Sequence, residues 1–191
     1  MLDKNTNYIV SGLERSGTSM LMQILKAGNL SIAFDNSRPP DRHNPKGYYE
    51  LEGGKIINKL MNKSFPLDNY KGKFIKITAY GLKFLPPGKY KIIYSERDIE
   101  EILDSMEKMM GKKDSSREET RESFLKLNDT IKNILRERED MDILFVNYNN
   151  IISNPEKDIK RIIKFLGLSN TLYDEMVSTI DKKLYRQRRK T

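Results

Sequence analysis

The chain has 191 residues, of which 37% are hydrophobic and 32% are charged, a content that suffices for one core and leaves no room for a second. Lys and Arg exceed Asp and Glu by eight, which favours an anionic partner such as a nucleotide, a nucleic acid or an anionic lipid surface. The absence of cysteine excludes disulfides and thiolate chemistry, and the single histidine, His43, argues against a histidine metal site.

The first predicted strand, at residues 8–10, leads through Gly12 into a helical pattern that starts near Gly17. Residues 29–49 are rich in Asn, Asp, Arg, Pro and Gly, so a long loop is predicted there. A second helix is predicted to start near Glu50. The beginning of the chain therefore predicts strand, short loop and helix, followed by an irregular segment.

Two further strands are predicted at residues 74–77 and 90–94, on either side of a Pro-Pro-Gly turn. Asp98, with Glu101 three residues later, is typical of a capping box and predicts a helix that runs to about Met110. The middle of the chain thus repeats the order of strand and helix.

A highly charged helix is predicted from about residue 117 to 139, with one apolar stripe that indicates core contacts. The stripe consists of Phe124, Leu127, Ile131, Ile134 and Leu135. Residues 142–146 predict a fourth strand, and Asn154 with Pro155 predicts the N-cap and first turn of a helix that stops at Gly167. Because strands alternate with helices, we expect a three-layer α/β fold with a central parallel sheet flanked by helices.

No segment approaches the roughly 20 apolar residues of a membrane-spanning helix, and the first twelve residues lack the apolar run of a secretion signal. We find no repeat and no internal boundary. The expectation is a soluble, cytoplasmic protein with a single domain over residues 1–191.

Residues 12–19 have the spacing G-x-x-x-x-G-x-[ST] of a phosphate-binding P-loop, between a predicted strand and a predicted helix. Its glycines let backbone N–H groups converge on an anion, and the N-terminus of the helix adds partial positive charge. Thr18 stands where an ATP-dependent P-loop enzyme has its lysine, and Arg15 is the cation inside the loop. This pattern argues against an ATPase or kinase. It favours a nucleotide donor whose 5′ group carries less negative charge than the triphosphate of ATP.

The run R-S-G-T-S at residues 15–19 resembles the 5′-phosphosulfate-binding loop of the P-loop sulfotransferases, in particular their bacterial members. These enzymes use 3′-phosphoadenosine 5′-phosphosulfate (PAPS). The family has a second signature, an Arg at the end of a later strand and a Ser eight residues on, and Arg97 and Ser105 have this spacing. The N-P-K-G-Y-Y-E run at residues 44–50 and the L-Y-R run at residues 184–186 also resemble family motifs.

The resemblance implies an enzyme that transfers a sulfonate group from PAPS to an unidentified acceptor hydroxyl or amine, with PAP as product and without a metal ion. It implies that Arg15, assisted by Lys76, stabilises the charge that builds up on the leaving oxygen, and that Tyr148 lies near the adenine. The donor-binding residues that it implies are Arg15, Ser16, Gly17, Thr18, Ser19, Arg97, Ser105, Tyr148 and Arg186.

The catalytic base is the main departure from the family pattern. Cytosolic members place a catalytic His just after a Lys on the strand, whereas this sequence has Lys76 and no His after it. Other branches use a carboxylate in or near the loop after the first helix. Glu50 and Asp35 are therefore the first candidates for the base, and Asp41 and His43 are the next.

Three alternatives remain open at this stage. A P-loop kinase or other nucleotide-binding protein is disfavoured by Thr18. A nucleic-acid-binding module built around Arg186, Arg188 and Arg189 lacks a recognition-helix signature and a stacking aromatic platform, so we expect no nucleic acid. The third alternative is a catalytically inactive PAP-binding protein. The acceptor is not readable from the sequence: a carbohydrate, a lipid, a small phenol and a peptide all remain open, and the positive charge mildly favours an acidic polymer or glycan.

Overall fold

A sheet of four parallel strands forms the centre of the protein, whose computed structural model describes residues 1–186. The strands are β1 (Asn7–Gly12), β2 (Phe74–Lys76), β3 (Tyr90–Glu96) and β4 (Met141–Asn147). Their order across the sheet is β2-β1-β3-β4, and every neighbouring pair is parallel. The predicted parallel sheet is confirmed.

The sheet is buried on both faces, since alternate residues of one strand enter two different hydrophobic clusters. Ile9 of β1 and Ile92 of β3 belong to the first cluster, and their neighbours Val10 and Ile93 belong to the second. All four side chains are fully buried. Short, continuous apolar runs of this kind are typical of parallel strands, which have no solvent-facing side.

Seven helices cover the two faces in the described part of the chain. They are α1 (Thr18–Ala27), α2 (Ile56–Met61), α3 (Ile99–Met110), α4 (Arg117–Glu137), α5 (Tyr148–Ser153), α6 (Pro155–Leu166) and α7 (Tyr173–Ser178). Helices α2, α3 and α4 contribute to the first cluster, and α1, α5, α6 and α7 contribute to the second. The three-layer α/β fold is thereby confirmed.

The charged helix α4 packs through the predicted stripe. Ile131 and Leu135 are buried in the first cluster, and Phe124, Leu127 and Ile134 pack against it while partly exposed. The polar remainder of α4 faces away from this core, as expected of an amphipathic surface helix.

The predicted helix boundaries hold in part. Asp98 accepts a hydrogen bond from the backbone N–H of Glu101 at the start of α3, as its N-cap role requires. Asn154 occupies the N-cap position of α6, but its side chain makes no capping hydrogen bond. The αL conformation of Gly167 ends that helix where predicted.

The prediction of a helix near Glu50 is wrong by six residues. Helix α2 starts at Ile56, because Glu52, Gly53 and Gly54 all have positive φ values and make a turn instead. Helix α5 was not predicted at all. It follows β4 directly, and the side chain of Asn147 caps it by accepting from the N–H of Asn150.

None of the helices in residues 1–186 combines the length and the hydropathy that a bilayer crossing requires. The cytoplasmic location and the single-domain organisation stay predictions.

Candidate active site

The residues that the sequence singles out meet at the carboxyl edge of the sheet. Arg15 follows β1, Lys76 ends β2, Arg97 follows β3 and Tyr148 follows β4. Ligands of open parallel sheets bind outside this edge, where the loops after neighbouring strands diverge. All four residues line a cleft with a volume of about 270 Å³.

One wall of the cleft is the P-loop, against which the ring of Tyr148 lies. Gly17 has a φ of 103°, and a Cβ atom added to it would lie 2.2 Å from Cδ2 of Tyr148. Only glycine allows both this conformation and this approach. Arg15 also has a positive φ, 65°, which is uncommon for a residue other than glycine. The loop is therefore held in a strained shape at the start of α1.

Arg15, Arg97 and Ser105 are brought together by this loop. The Nε of Arg15 donates to Oγ of Ser105 at 3.0 Å, and Nη1 of Arg97 donates to the backbone oxygen of Arg15 at 3.0 Å. The guanidinium of Arg97 lies 4.5 Å from the centre of the Tyr148 ring. The predicted Arg–Ser pair thus lies in one cluster, although the serine contacts Arg15 here.

This cluster concentrates positive charge. Burial lowers the pKa of Arg15, and the nearby charges of Arg97 and Arg38 lower it further. A bound anion would relieve that repulsion. The cluster is therefore suited to hold a phosphate or sulfate group.

A buried ion pair also lines the cleft. Nζ of Lys76 lies 2.9 Å from Oε1 of Glu50 and also donates to Oγ of Ser19 and to the backbone oxygen of Tyr48, at 3.1 and 2.6 Å. Arg38 contacts the other oxygen of Glu50 at 3.1 Å. Burial lowers the pKa of Lys76, and Glu50 opposes that shift. All three N–H donors of this ammonium have acceptors, so Lys76 donates to a leaving oxygen only when it gives up one of these partners.

The other predicted donor residues occupy different positions around the cleft. Thr18 and Ser19 line it, whereas the side chain of Ser16 is buried and borders a separate, smaller cavity. Arg186 lines the cleft and donates from Nη1 to the backbone oxygen of Arg42 at 2.8 Å. Arg188 and Arg189 lie outside the described residues.

The candidate bases separate into two groups. Glu50 and His43 line the cleft, while Asp35 and Asp41 are not among the described residues that do. Asp35 accepts from the backbone N–H of Glu52 at 2.7 Å, and this bond lowers the pKa of its carboxyl group. Asp41 accepts from the hydroxyl of Tyr48 at 2.8 Å.

Sequence reasoning missed Arg38 and Glu101 as contributors to the site. The guanidinium of Arg38 stacks on the Tyr48 ring at 3.6 Å, a contact that no sequence spacing indicates. Glu101 pairs with Arg97 four residues earlier, at 3.0 Å. That i, i+4 spacing was the one available signal for Glu101.

A sulfotransferase domain model matches residues 5–191 of the chain. Solved structures with a similar fold include the sulfotransferase domain of a Synechococcus olefin synthase, with 17% identity, a TM-score of 0.60 and coverage of 100% of this chain and 90% of that chain. A mouse sulfotransferase complexed with PAP has 16% identity and a TM-score of 0.56, with coverage of 98% and 67%.

A sulfotransferase from Mycobacterium tuberculosis has 14% identity and a TM-score of 0.57, with coverage of 97% of this chain and 77% of that chain. At these identities the three structures show the fold alone. Among curated proteins, none matches the chain at significant similarity.

Proposed function

Because the chain belongs to the sulfotransferase family, it is an enzyme that transfers sulfonate groups, and we propose that it takes them from PAPS to an acceptor hydroxyl or amine. The observation that carries the choice of donor is the cluster of Arg15, Arg97 and Ser105 beside the P-loop. Two guanidinium groups and a hydroxyl on one wall of a cleft suit a nucleotide with phosphate groups at two positions.

The 5′ arm of the donor is assigned to the P-loop side of the cleft. Backbone N–H groups at the start of α1 and the hydroxyls of Thr18 and Ser19 position the phosphosulfate. When the acceptor atom attacks sulfur, the bond from sulfur to the bridging oxygen breaks and negative charge grows on that oxygen. Arg15 and Lys76, which both line the cleft, stabilise this charge.

The 3′-phosphate is assigned to Arg97 and Ser105, with Arg186 as a further cation at the cleft. The adenine is assigned to the neighbourhood of Tyr148, whose ring is fixed between Gly17 and the Arg97 guanidinium. In this arrangement Arg97 contacts an aromatic face and a phosphate at once, which suits a planar guanidinium.

Glu50 is the base that the geometry favours, since it lines the cleft next to Lys76. Removal of the acceptor proton by Glu50 and stabilisation of the leaving oxygen by Lys76 would then be coupled through one ion pair. For the acceptor we propose a chemical class. The excess positive charge favours an acidic glycan or another anionic small molecule.

Thermal-shift measurements with PAP, AMP, ATP–magnesium and coenzyme A test the donor. We expect PAP to stabilise the protein well above AMP, because AMP lacks the 3′-phosphate. Equal stabilisation by PAP and AMP would contradict the proposal, and selective stabilisation by ATP–magnesium would favour a kinase. PAP binding without sulfonate transfer to any acceptor would indicate an inactive PAP-binding protein.

The variant Arg97→Ala tests the assignment of the 3′-phosphate. We expect it to weaken PAP binding by roughly 2 kcal/mol or more, because a charge-assisted hydrogen bond to phosphate is lost. AMP binding is the internal control and should change little. Isothermal titration calorimetry gives both affinities, and an equal loss for PAP and AMP would place the 3′-phosphate elsewhere.

A further inference from the structure

One buried carboxylate contacts Arg97 although it is not among the described residues that line the cleft. Glu101 lies on α3, and its side chain is only 2% exposed. Its Oε2 accepts from Nε of Arg97 at 3.0 Å. A carboxylate so deeply buried costs several kcal/mol in lost hydration, so its contacts must hold it firmly.

The second oxygen of Glu101 connects Arg97 to two distant parts of the chain. Oε1 accepts from the hydroxyl of Tyr185 at 2.6 Å and from Nδ2 of Asn149 at 3.2 Å. Asn149 also donates to the Tyr185 hydroxyl at 2.6 Å. The carboxylate therefore joins the end of β3 to α5 and to the segment that follows α7.

These contacts fix the direction in which the Arg97 guanidinium points. Its Nε is held by Glu101 and its Nη1 by the backbone oxygen of Arg15, while its plane lies near the Tyr148 ring. Two acceptors on different nitrogens define the orientation of a planar guanidinium, whereas one acceptor leaves it free to turn. Tyr185 and Asn149 hold the carboxylate itself, so Glu101 stays in place and fixes the orientation of Arg97.

We propose that Glu101 is a positioning residue that orients Arg97 toward the 3′-phosphate and so sets the preference for a nucleotide that carries this group. The inference rests on the proposed function, in which Arg97 binds the 3′-phosphate. Tyr185 takes part by fixing Oε1 of Glu101, although the two residues are 84 positions apart.

The ratio of the affinities for PAP and AMP, measured by calorimetry, tests this role in the full chain. Glu101→Gln keeps the shape of the side chain but replaces one acceptor oxygen with a donor, so Arg97 or Tyr185 loses its acceptor. We expect the PAP preference to fall about tenfold, as a misdirected charge-assisted hydrogen bond predicts. Glu101→Asp keeps both acceptor oxygens and should restore part of the preference.

Tyr185→Phe removes the hydroxyl contact without changing any charge. We expect the PAP preference to fall about threefold, since an ordinary hydrogen bond that holds Glu101 is lost. This variant keeps the inference testable if Glu101→Gln does not fold. An unchanged PAP preference in Tyr185→Phe would contradict the proposed contact chain.

Glu107→Gln is the matched control. Glu107 lies on the same helix and its side chain is only 6% exposed, but its ion-pair partners are Lys113 and Arg117. We expect Glu107→Gln to lower the melting temperature and to leave the ratio of PAP and AMP affinities unchanged. If Glu101→Gln acted only by destabilising α3, it would lower the affinities for PAP and AMP alike, as Glu107→Gln would, and their ratio would not change.

The outcomes separate this inference from the proposed function. If the parent protein does not prefer PAP over AMP, the proposed donor is wrong and the inference falls with it. If the parent prefers PAP and Glu101→Gln has the same or a stronger preference, the inference alone is overturned. A stronger preference would show that Glu101 acts through its negative charge and not through the direction it gives to Arg97.

Discussion

Glu50 lies between two cations, with Lys76 2.9 Å from one oxygen and Arg38 3.1 Å from the other. The side chains of Lys76 and Glu50 are only 5% and 10% exposed, so water screens their pair weakly. A proton delivered to Glu50 breaks this pairing. In the proposed reaction, the negative charge that develops on the leaving group offsets the loss, because it takes over Lys76 as partner.

Glu50→Gln should lower single-turnover sulfonate transfer by about 100-fold or more and leave PAP affinity near the parent value, as expected when a base is removed from the chemical step. The measurement uses labelled PAPS and an acceptor selected from phenols and glycans. Asp35→Asn is the comparison, since Asp35 is not among the described residues that line the cleft. Parental turnover in Glu50→Gln would move the base to Asp35, Asp41 or His43.

The ring of Tyr148 lies directly against Gly17 of the P-loop. An alanine there must adopt a φ of 103° and place its Cβ 2.2 Å from the Tyr148 ring. We expect Gly17→Ala to displace the Tyr148 ring and to weaken PAP binding at least about tenfold. The substitution disturbs both the P-loop, which is assigned to the 5′ arm, and the ring, which is assigned to the adenine.

Gly167→Ala is the control for Gly17→Ala. Gly167 also has a positive φ, 66°, but nothing lies within 4 Å of its added Cβ. Its substitution should cost about 1 kcal/mol of stability from backbone strain and leave PAP affinity unchanged. Equal PAP affinities for the two variants would remove the role given to the loop shape.

Helix α3 places its functional groups and its structural contacts on different sides. Glu101 and Ser105 are four residues apart on one face of the helix, where they contact Arg97 and Arg15. Another set of carboxylates on the helix contacts Arg117 of α4, at 2.7, 2.8 and 2.9 Å. That set consists of Glu100, Asp104 and Glu107. Arg117 therefore joins α3 to α4 through three carboxylates.

The N-cap of α3 is a test of how this element is anchored. Asp98→Ala removes the acceptor for the Glu101 N–H, and we expect it to lower the free energy of unfolding by about 1 kcal/mol. Ser116→Ala is the matched control, because Ser116 is the N-cap residue of α4 and its side chain makes no capping hydrogen bond. Urea denaturation should show a change within about 0.5 kcal/mol for Ser116→Ala. Equal losses for the two variants would contradict the capping role.

Over the whole molecule, sequence patterns predicted the features that depend on residues close together in the chain. The strands, the P-loop spacing and the Asp98 cap depend on neighbouring residues and were found in the sequence. The start of α2 was misplaced because the turn at Gly53 and Gly54 competes with the helix. The contact between Glu101 and Tyr185 spans 84 positions and depends on how α3 and the end of the chain pack together. No periodicity within a segment carries that information.

The two clusters on opposite faces of the sheet make a prediction for the whole chain. Ile131 of α4 and Ile159 of α6 are both fully buried, the first in one cluster and the second in the other. Each substitution by alanine should lower the free energy of unfolding by about 2–5 kcal/mol, because it removes buried methyl groups and leaves a cavity. The buried strands lie between the two sites, so the effects of Ile131→Ala and Ile159→Ala should add to within about 0.5 kcal/mol in the double variant.

Urea denaturation followed by circular dichroism and by tyrosine fluorescence measures these losses. If both clusters belong to one cooperative unit, the two probes should give one coincident transition for the parent and for each single variant. Leu125→Ala on the exposed part of α4 is the control and should change stability by no more than about 0.5 kcal/mol, since Leu125 is 36% exposed. Two separate transitions would show that the faces of the sheet unfold independently, and they would contradict the predicted single domain.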